Sequence, residues 1–334
     1  MRNLKLDKMD SLIILVGFLS VFSCQKEDTI SISKDVKIAT PSLAAIAGTS
    51  LDAPTGWYQE QTATGVRLFS KSYKRNGNTT KDFVQVIDLS KGAKIYSFYG
   101  GATGGLSASE SNPSPAFYKY DIDYYWWSSF KNLFSITNAS FFNFSQSTLY
   151  SKDCQFAYPF KYAGTVISCG YSNLEIAGNT DALPKRTLNI YEKDMYASIQ
   201  TYKDAPAKST KKALYAHVAS NLTATTAIVG LHPLDADKDK TSYIPRTLVG
   251  VRDYDGNGKA ETIYIFTSSY ANQTNAWEVL NSEFKASQTI MFDGSGSTQM
   301  KCKNIKYIKS NDPVRLPVLA PERKIPNVLS VISG

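Results

Sequence analysis

Apolar and polar residues alternate with a period of two along much of the chain, which predicts strands. The first two runs are "GVRLFSKSYK" (Gly65–Lys74) and "KDFVQVIDLS" (Lys81–Ser90). They are joined across "RNGN" (75–78), whose Asn-Gly pair suits a tight hairpin turn. "LFSIT" (133–137), "TLNIYEK" (187–193) and "MYASIQTY" (195–202) read as further strands. "PRTLVGVRDYDGNGKAETIYIFTSS" (245–269) reads as two more around an Asp-Gly/Asn-Gly turn. A short apolar run, Ile290-Met291-Phe292, ends at Asp293. Helical periodicity is scarce. "DIDYYWWSSFKN" (Asp121–Asn132) is one helix, and "NAWEVLNSEFKAS" (275–287) is the best defined. In the second, Asn275 is the expected N-cap with Glu278 three residues on, and Trp277, Leu280 and Phe284 share a face. The expected fold class is α+β: a mostly antiparallel sheet with a few packing helices, in a single domain.

The ends of the chain have a different pattern. Arg2, Lys5 and Lys8 precede "SLIILVGFLSVF" (Ser11–Phe22), an apolar run too short to span a bilayer. Ser23 and Cys24 follow, and residues 1–23 read as a lipoprotein signal peptide with Cys24 as the lipidated residue. "QKEDT" after Cys24 looks like the signal that sends lipoproteins to the surface of some Gram-negative bacteria. The expectation is an exported outer-membrane lipoprotein, held to the membrane through a lipid anchor on Cys24. Residues 24–56, rich in Ser, Thr, Ala and Pro, read as a tether. Residues 57–310 form the expected domain, and the Pro-rich residues 311–334 show no obvious fold of their own. "FYGGATGGLSASESNPSP" (98–115) and "KDAPAKSTKKA" (203–213) read as loops.

Composition is globular, with 43% apolar and 20% charged residues in 334. The formal net charge is +8. A mildly basic surface favours anionic partners such as phosphorylated glycans. No Lys/Arg run interleaves with aromatics, so no nucleic-acid partner is expected. The sequence leaves the oligomeric state open. Beyond Cys24 there are three cysteines. Cys154 and Cys169 either staple a hairpin or remain buried thiols, and no Cys/His spacing suggests zinc. "DYDGNG" (Asp253–Gly258) matches the first six positions of a calcium loop. Position twelve is Tyr264 and no helices flank it, so a hairpin turn is preferred to a calcium ion on Asp253, Asp255 and Asn257. No cofactor or metal is expected. His232, alone in "GLHPL", reads as structural or as lining a pocket.

Four segments carry candidate chemistry: "GVRL" early, "NASFF" (138–142), "PRTLVGV" (245–251) and "FDGSGST" (292–298) after a helix. In this order they resemble the phosphodiester glycosidase family, over about residues 57–310. That family's pattern reads roughly N-G-G-F-F, R-T-x-x-G, D-G-R after a strand, a helix, then D-G-G-G-S-T. Here Asn138-Ala139-Ser140 replaces N-G-G, and Ser295 replaces the middle Gly. Thr267-Ser268-Ser269 stands where the family shows D-G-R, so an acid and a base are missing.

The resemblance implies hydrolysis of a sugar-1-phosphodiester bond in a glycan, releasing free sugar and a phosphomonoester. Chemically, such a leaving group needs its charge held more than it needs a proton. Arg246 is the expected phosphate clamp, with Thr247 adding a hydroxyl. Gly294, Ser295, Gly296, Ser297 and Thr298 offer N–H groups and hydroxyls that can cradle phosphate or sugar. Asp293 is the expected acid, base or nucleophile, and Asn138 a partner for a sugar hydroxyl. The alternative is a non-catalytic lipoprotein that binds phosphorylated or anionic glycans through the same pocket.

Overall fold

The structure, a computed structural model, describes residues 51–103, 116–128, 131–142, 153–170, 184–202, 211–309 and 323–334. The expected signal peptide, Cys24, the tether up to residue 50 and most of the loop at 98–115 lie outside the described residues. In chain order the strands begin with β1 (Tyr58–Ala63), β2 (Val66–Arg75), β3 (Asn78–Asp88), β4 (Lys94–Tyr99), β5 (Ala102–Thr103) and β6 (Ala116–Tyr118). There follow β7 (Leu133–Asn138), β8 (Asp153–Cys154), β9 (Pro159–Tyr162), β10 (Thr165–Cys169), β11 (Lys185–Tyr191), β12 (Tyr196–Thr201) and β13 (Thr226–Leu231). The last are β14 (Ile244–Arg252), β15 (Thr262–Ala271), β16 (Gln288–Met291), β17 (Met300–Cys302), β18 (Ile305–Ile308) and β19 (Asn327–Ile332). The helices are α1 (Ile122–Ser128), α2 (Lys211–Ser220) and α3 (Gln273–Glu278).

Among the described residues every strand pairing is antiparallel. The large sheet runs β1-β2-β3-β15-β14-β16-β13-β11-β12, with β9 and β10 attached beside β13. A second sheet runs β18-β17-β7-β19-β4, and a small one β5-β6-β8. The Asn-Gly hairpin forms as expected: Asn76 and Gly77 take φ of +43° and +79°, the double left-handed turn that matches strand twist.

The central strands are apolar on both faces because both faces are covered. Phe83, Val249, Ile265 and Ile290 pack in one cluster with Phe134, Met300 and Leu329 of the second sheet. Their sequence neighbours Val84, Leu248, Phe266 and Met291 pack on the opposite face, with Ala276, Leu280 and Phe284 around α3 and Leu214 and Val218 of α2. Successive strand side chains point to opposite faces, so one strand feeds both layers.

Four expectations are corrected. The best-defined helix is capped by Asn272, whose side chain accepts from the Asn275 N–H at 2.8 Å, so it starts three residues early. Its regular part spans six residues, and Val279–Glu283 continue as a π-turn. Among the described residues of the C-terminal segment there is a strand: β19 lies between β7 and β4, which satisfies both its edges. The ordered domain also reaches back into the expected tether, because Leu51 is buried and its carbonyl accepts from Arg67. Residues 211–213, expected in a loop, open α2. Cys154, Cys169 and Cys302 are buried thiols without a disulfide. Cys154 lies in the small sheet and Cys169 in the large one, so no staple joins them.

Candidate functional site

The site is built where strands of both sheets end together. β7 ends at Asn138, β16 runs out just before Asp293, and β17 and β19 begin at Met300 and Asn327. β14 contributes Arg246 and Thr247 near its start. The Asn138 side chain ties these ends. Its Nδ2 donates to the Asp293 carbonyl at 2.6 Å. Its Oδ1 accepts from the Thr247 hydroxyl at 2.7 Å and from the Gln299 N–H at 3.2 Å. The Asp293 N–H donates to the Ala139 carbonyl at 3.0 Å, so Asp293 is held on both sides of its backbone.

The turn after Asp293 is tight. Gly294 N–H donates to Asp293 Oδ1 at 3.0 Å, and Ser297 N–H donates to the Gly294 carbonyl at 3.1 Å. Ser295 takes φ of +54°, which a glycine adopts without steric cost. Gly296 leaves room for the Arg323 guanidinium: a Cβ there would meet it at 2.6 Å, and the guanidinium would have to move. Arg323 Nη1 donates to the Ser297 hydroxyl at 3.4 Å, and that hydroxyl hydrogen-bonds the Asp293 carboxyl. Gln299 Nε2 donates to the Arg323 carbonyl at 2.7 Å and fixes the base of this arm.

The electrostatics single out Asp293. Protein atoms crowd its carboxyl, and this desolvation raises its pKa to about 6. The Ser297 hydroxyl, Arg323, the Gly294 N–H and Lys238 act against the rise. Asp293 nevertheless keeps part of its surface accessible, as do Gly294, Ser295 and Arg323. Asp293 thus combines a raised pKa, a neighbouring cation and an accessible strand end.

The structure therefore brings most of the expected site residues together but redistributes their roles. Arg246 is not an open phosphate clamp. Its five N–H groups meet the carbonyls of Ala271, Lys238, Asp239 and Ser242 and the Met291 sulfur. It is buried, and desolvation lowers its pKa to about 10. It stands on the opposite sheet face from Thr247, because neighbours in a strand alternate. Asn138, Thr247, Ser297 and Thr298 are also buried, so they position the site from beneath. Sequence reasoning missed Arg323, Gln299 and Asn327. The Asn327 side chain accepts from the Ser140 N–H and donates to the Ser140 hydroxyl, fixing the segment after Asn138. The one signal available was a basic side chain in a segment with no strand pattern of its own.

Thr267 and Ser268 are buried in β15, where they pair with Thr247 and Arg246. No carboxylate stands on that strand in place of the expected acid. His232 is a turn residue: its Nδ1 lies 3.3 and 3.1 Å from the N–H groups of Leu234 and Asp235, and its Nε2 lies 2.5 Å from Arg186 Nη2. Burial, then Arg186, lowers its pKa. A cavity of about 360 Å³ lined by Trp126, Lys131, Leu133, Lys303 and Asn304 shares no residue with the site.

The fold resembles a phosphodiester glycosidase catalytic domain. The chain superposes on the zebrafish N-acetylglucosamine-1-phosphodiester alpha-N-acetylglucosaminidase catalytic domain, auto-inhibited by its pro-peptide, with a TM-score of 0.51. Sequence identity is 11%, and the match covers 85% of this chain and 87% of that one. A hypothetical protein from Synechocystis gives a TM-score of 0.44 at 11% identity, over 85% of this chain and 64% of that one. No family model matches the chain, and no curated protein matches its sequence. The likeness is one of fold. Within it, "NASFF", "PRTLVGV" and "FDGSGST" meet through the hydrogen bonds of Asn138, Thr247 and Asp293.

Proposed function

We propose that this chain hydrolyses a sugar-1-phosphodiester bond in a glycan, releasing free sugar and a phosphomonoester, as an exported outer-membrane lipoprotein anchored through Cys24. The observation that carries the reading is Asp293. It sits partly accessible at the strand ends, with a pKa of about 6, linked through Ser297 to Arg323. At neutral pH most of this carboxyl is ionised, so it serves as base or nucleophile toward the sugar carbon or its attacking water. Arg323 takes the clamp role first expected of Arg246, because a planar guanidinium matches phosphate oxygens. Lys238 adds positive charge near the carboxyl. The phosphate leaving group is weakly basic, which fits a site with one carboxylate and cations around it.

The second reading, glycan binding without turnover, is favoured by Thr267-Ser268, which leave that part of β15 without the family's acid and base. One experiment separates them. The full chain and its Asp293→Ala variant are incubated with a panel of UDP-sugars and sugar-1-phosphodiesters, and free sugar is measured. Release by wild type alone supports hydrolysis through Asp293. A folded wild-type protein that releases no sugar yet binds the same panel, with binding weakened by Arg323→Ala, supports the binding reading.

A further inference from the structure

We infer that the loop joining β14 to β15 is a calcium site, with Glu261 as a ligand. The loop reads "DYDGNGKAE", Asp253 to Glu261, and carries oxygen side chains at positions one, three, five and nine. A helix-flanked loop needs an acid at position twelve, but this loop sits in a hairpin and supplies its third acid at nine.

The structure gathers the acids as the spacing suggests. One carboxylate oxygen from each of Asp253, Asp255 and Glu261 lies within 4.8 Å of the others. Oxygens bound to one calcium at about 2.4 Å are separated by no more than about 4.8 Å. The decisive group is Glu261. It is 8% exposed, and its Oε2 has no hydrogen-bond partner. A buried carboxylate oxygen without a partner is costly unless something positive meets it. No described salt bridge reaches any of the three acids. The two cations beside them are turned to rings: the Lys259 ammonium lies 5.1 Å from the Tyr196 centroid, and the Arg252 guanidinium 4.2 Å from that of Tyr254.

The site is braced before any ion arrives. Asp253 accepts from the N–H groups of Gly256 and Gly258, and Asp255 from that of Asn257. Ionised carboxylates keep further lone pairs for a metal. Ala260 bridges to Ala197, and the Glu261 carbonyl accepts from Leu89 N–H at 2.9 Å, which anchors the loop to its neighbours. Three hard anionic oxygens, with the Asn257 carbonyl oxygen in the same loop, suit calcium. Magnesium, which demands shorter, near-octahedral coordination, suits such a loop less well. This site is separate from Asp293, and the inference does not depend on the proposed hydrolysis.

The test is calcium titration of the full chain, stripped with EDTA and returned to chelator-free buffer, by calorimetry and by thermal melting. Wild type should bind one calcium per chain with a Kd on the order of 10⁻⁴ to 10⁻³ M, and Tm should rise by about 3 °C or more in excess calcium. Equal magnesium should give less than about a tenth of that affinity. Glu261→Gln, which keeps the shape and removes the charge, should weaken binding at least about tenfold. If that variant fails to fold, Asp255→Asn at the exposed position of the loop must show the same loss. No saturable binding by wild type up to about 10 mM calcium overturns the inference, as does undiminished affinity in the folded variant.

Discussion

The guanidinium of Arg323 occupies the space that a side chain on Gly296 would need, with its Cζ 2.6 Å from the position of a Cβ. A residue from the C-terminal arm is thereby pressed against the turn that follows Asp293. Gly296→Ala must push the guanidinium aside, and a flexible side-chain end can move cheaply. We predict that Gly296→Ala leaves Tm within about 2 °C of wild type but lowers kcat/KM on a sugar-1-phosphodiester about tenfold or more, the loss of a charge-assisted contact. Adding Arg323→Ala to Gly296→Ala should cost little more, because both changes remove one contact. Two fully additive losses would show that Gly296 and Arg323 act separately.

The raised pKa of Asp293 has opposite consequences for activity and stability. If the ionised form acts, kcat/KM rises with pH through about 6 and the rise disappears in Asp293→Asn. Arg323 favours the ionised carboxyl, so Arg323→Ala should move that limb to higher pH. For stability the sign is reversed. The unfolded carboxyl releases its proton near 3.8 and the folded one near 6, so the folded state holds more protons between them. Stability is lost as pH rises through that window, by at most about 3 kcal/mol and less because water reaches part of the side chain. Asp293→Asn should therefore melt higher than wild type at pH 8 and no higher at pH 4. Equal melting temperatures at both pH values would refute this account of the carboxyl.

The strands were legible because apolar alternation and Asn-Gly turns are local signals. β2, β3, β14 and β15 follow from them directly. The grouping of Asn138, Thr247 and Asp293 was legible only through motif order, since their meeting depends on two sheets aligning their ends. Arg246 and Arg323 show where reading stops. An Arg near a strand start looks the same whether it faces a ligand or five backbone and sulfur acceptors. Arg323 lies before β19, whose partners β4 and β7 are more than a hundred residues away in sequence. No local pattern announces such a partnership. Glu261 was not singled out for a different reason: the loop was compared with a helix-flanked template, whose last acid falls elsewhere.

Ser295 offers a small and specific check of the turn. It replaces the middle glycine of the family pattern and takes φ of +54°. Glycine adopts that conformation without the steric cost a serine bears. Ser295→Gly should stabilise the protein or leave it unchanged, within about 1 kcal/mol, and should preserve activity. Ser295→Val should cost more than about 1 kcal/mol, since a β-branched residue resists positive φ. Chemical denaturation of the two variants beside wild type measures both.

Arg246 gives the sharpest contrast between a clamp and a structural post. A clamp that loses its fork to Arg246→Lys would keep its fold and weaken substrate binding. In this structure the guanidinium satisfies carbonyls from Lys238, Asp239, Ser242 and Ala271 at once. A lysine ammonium has three donors on a point, and it cannot reach acceptors spread around a planar fork. At least two of these carbonyls would lose their partners, each costing about 1–3 kcal/mol where water cannot reach it. We predict that Arg246→Lys destabilises the fold by about 2 kcal/mol or more, with the 238–242 segment losing protection first in hydrogen exchange. A variant that melts like wild type but binds substrate poorly would return Arg246 to the ligand's side of the site.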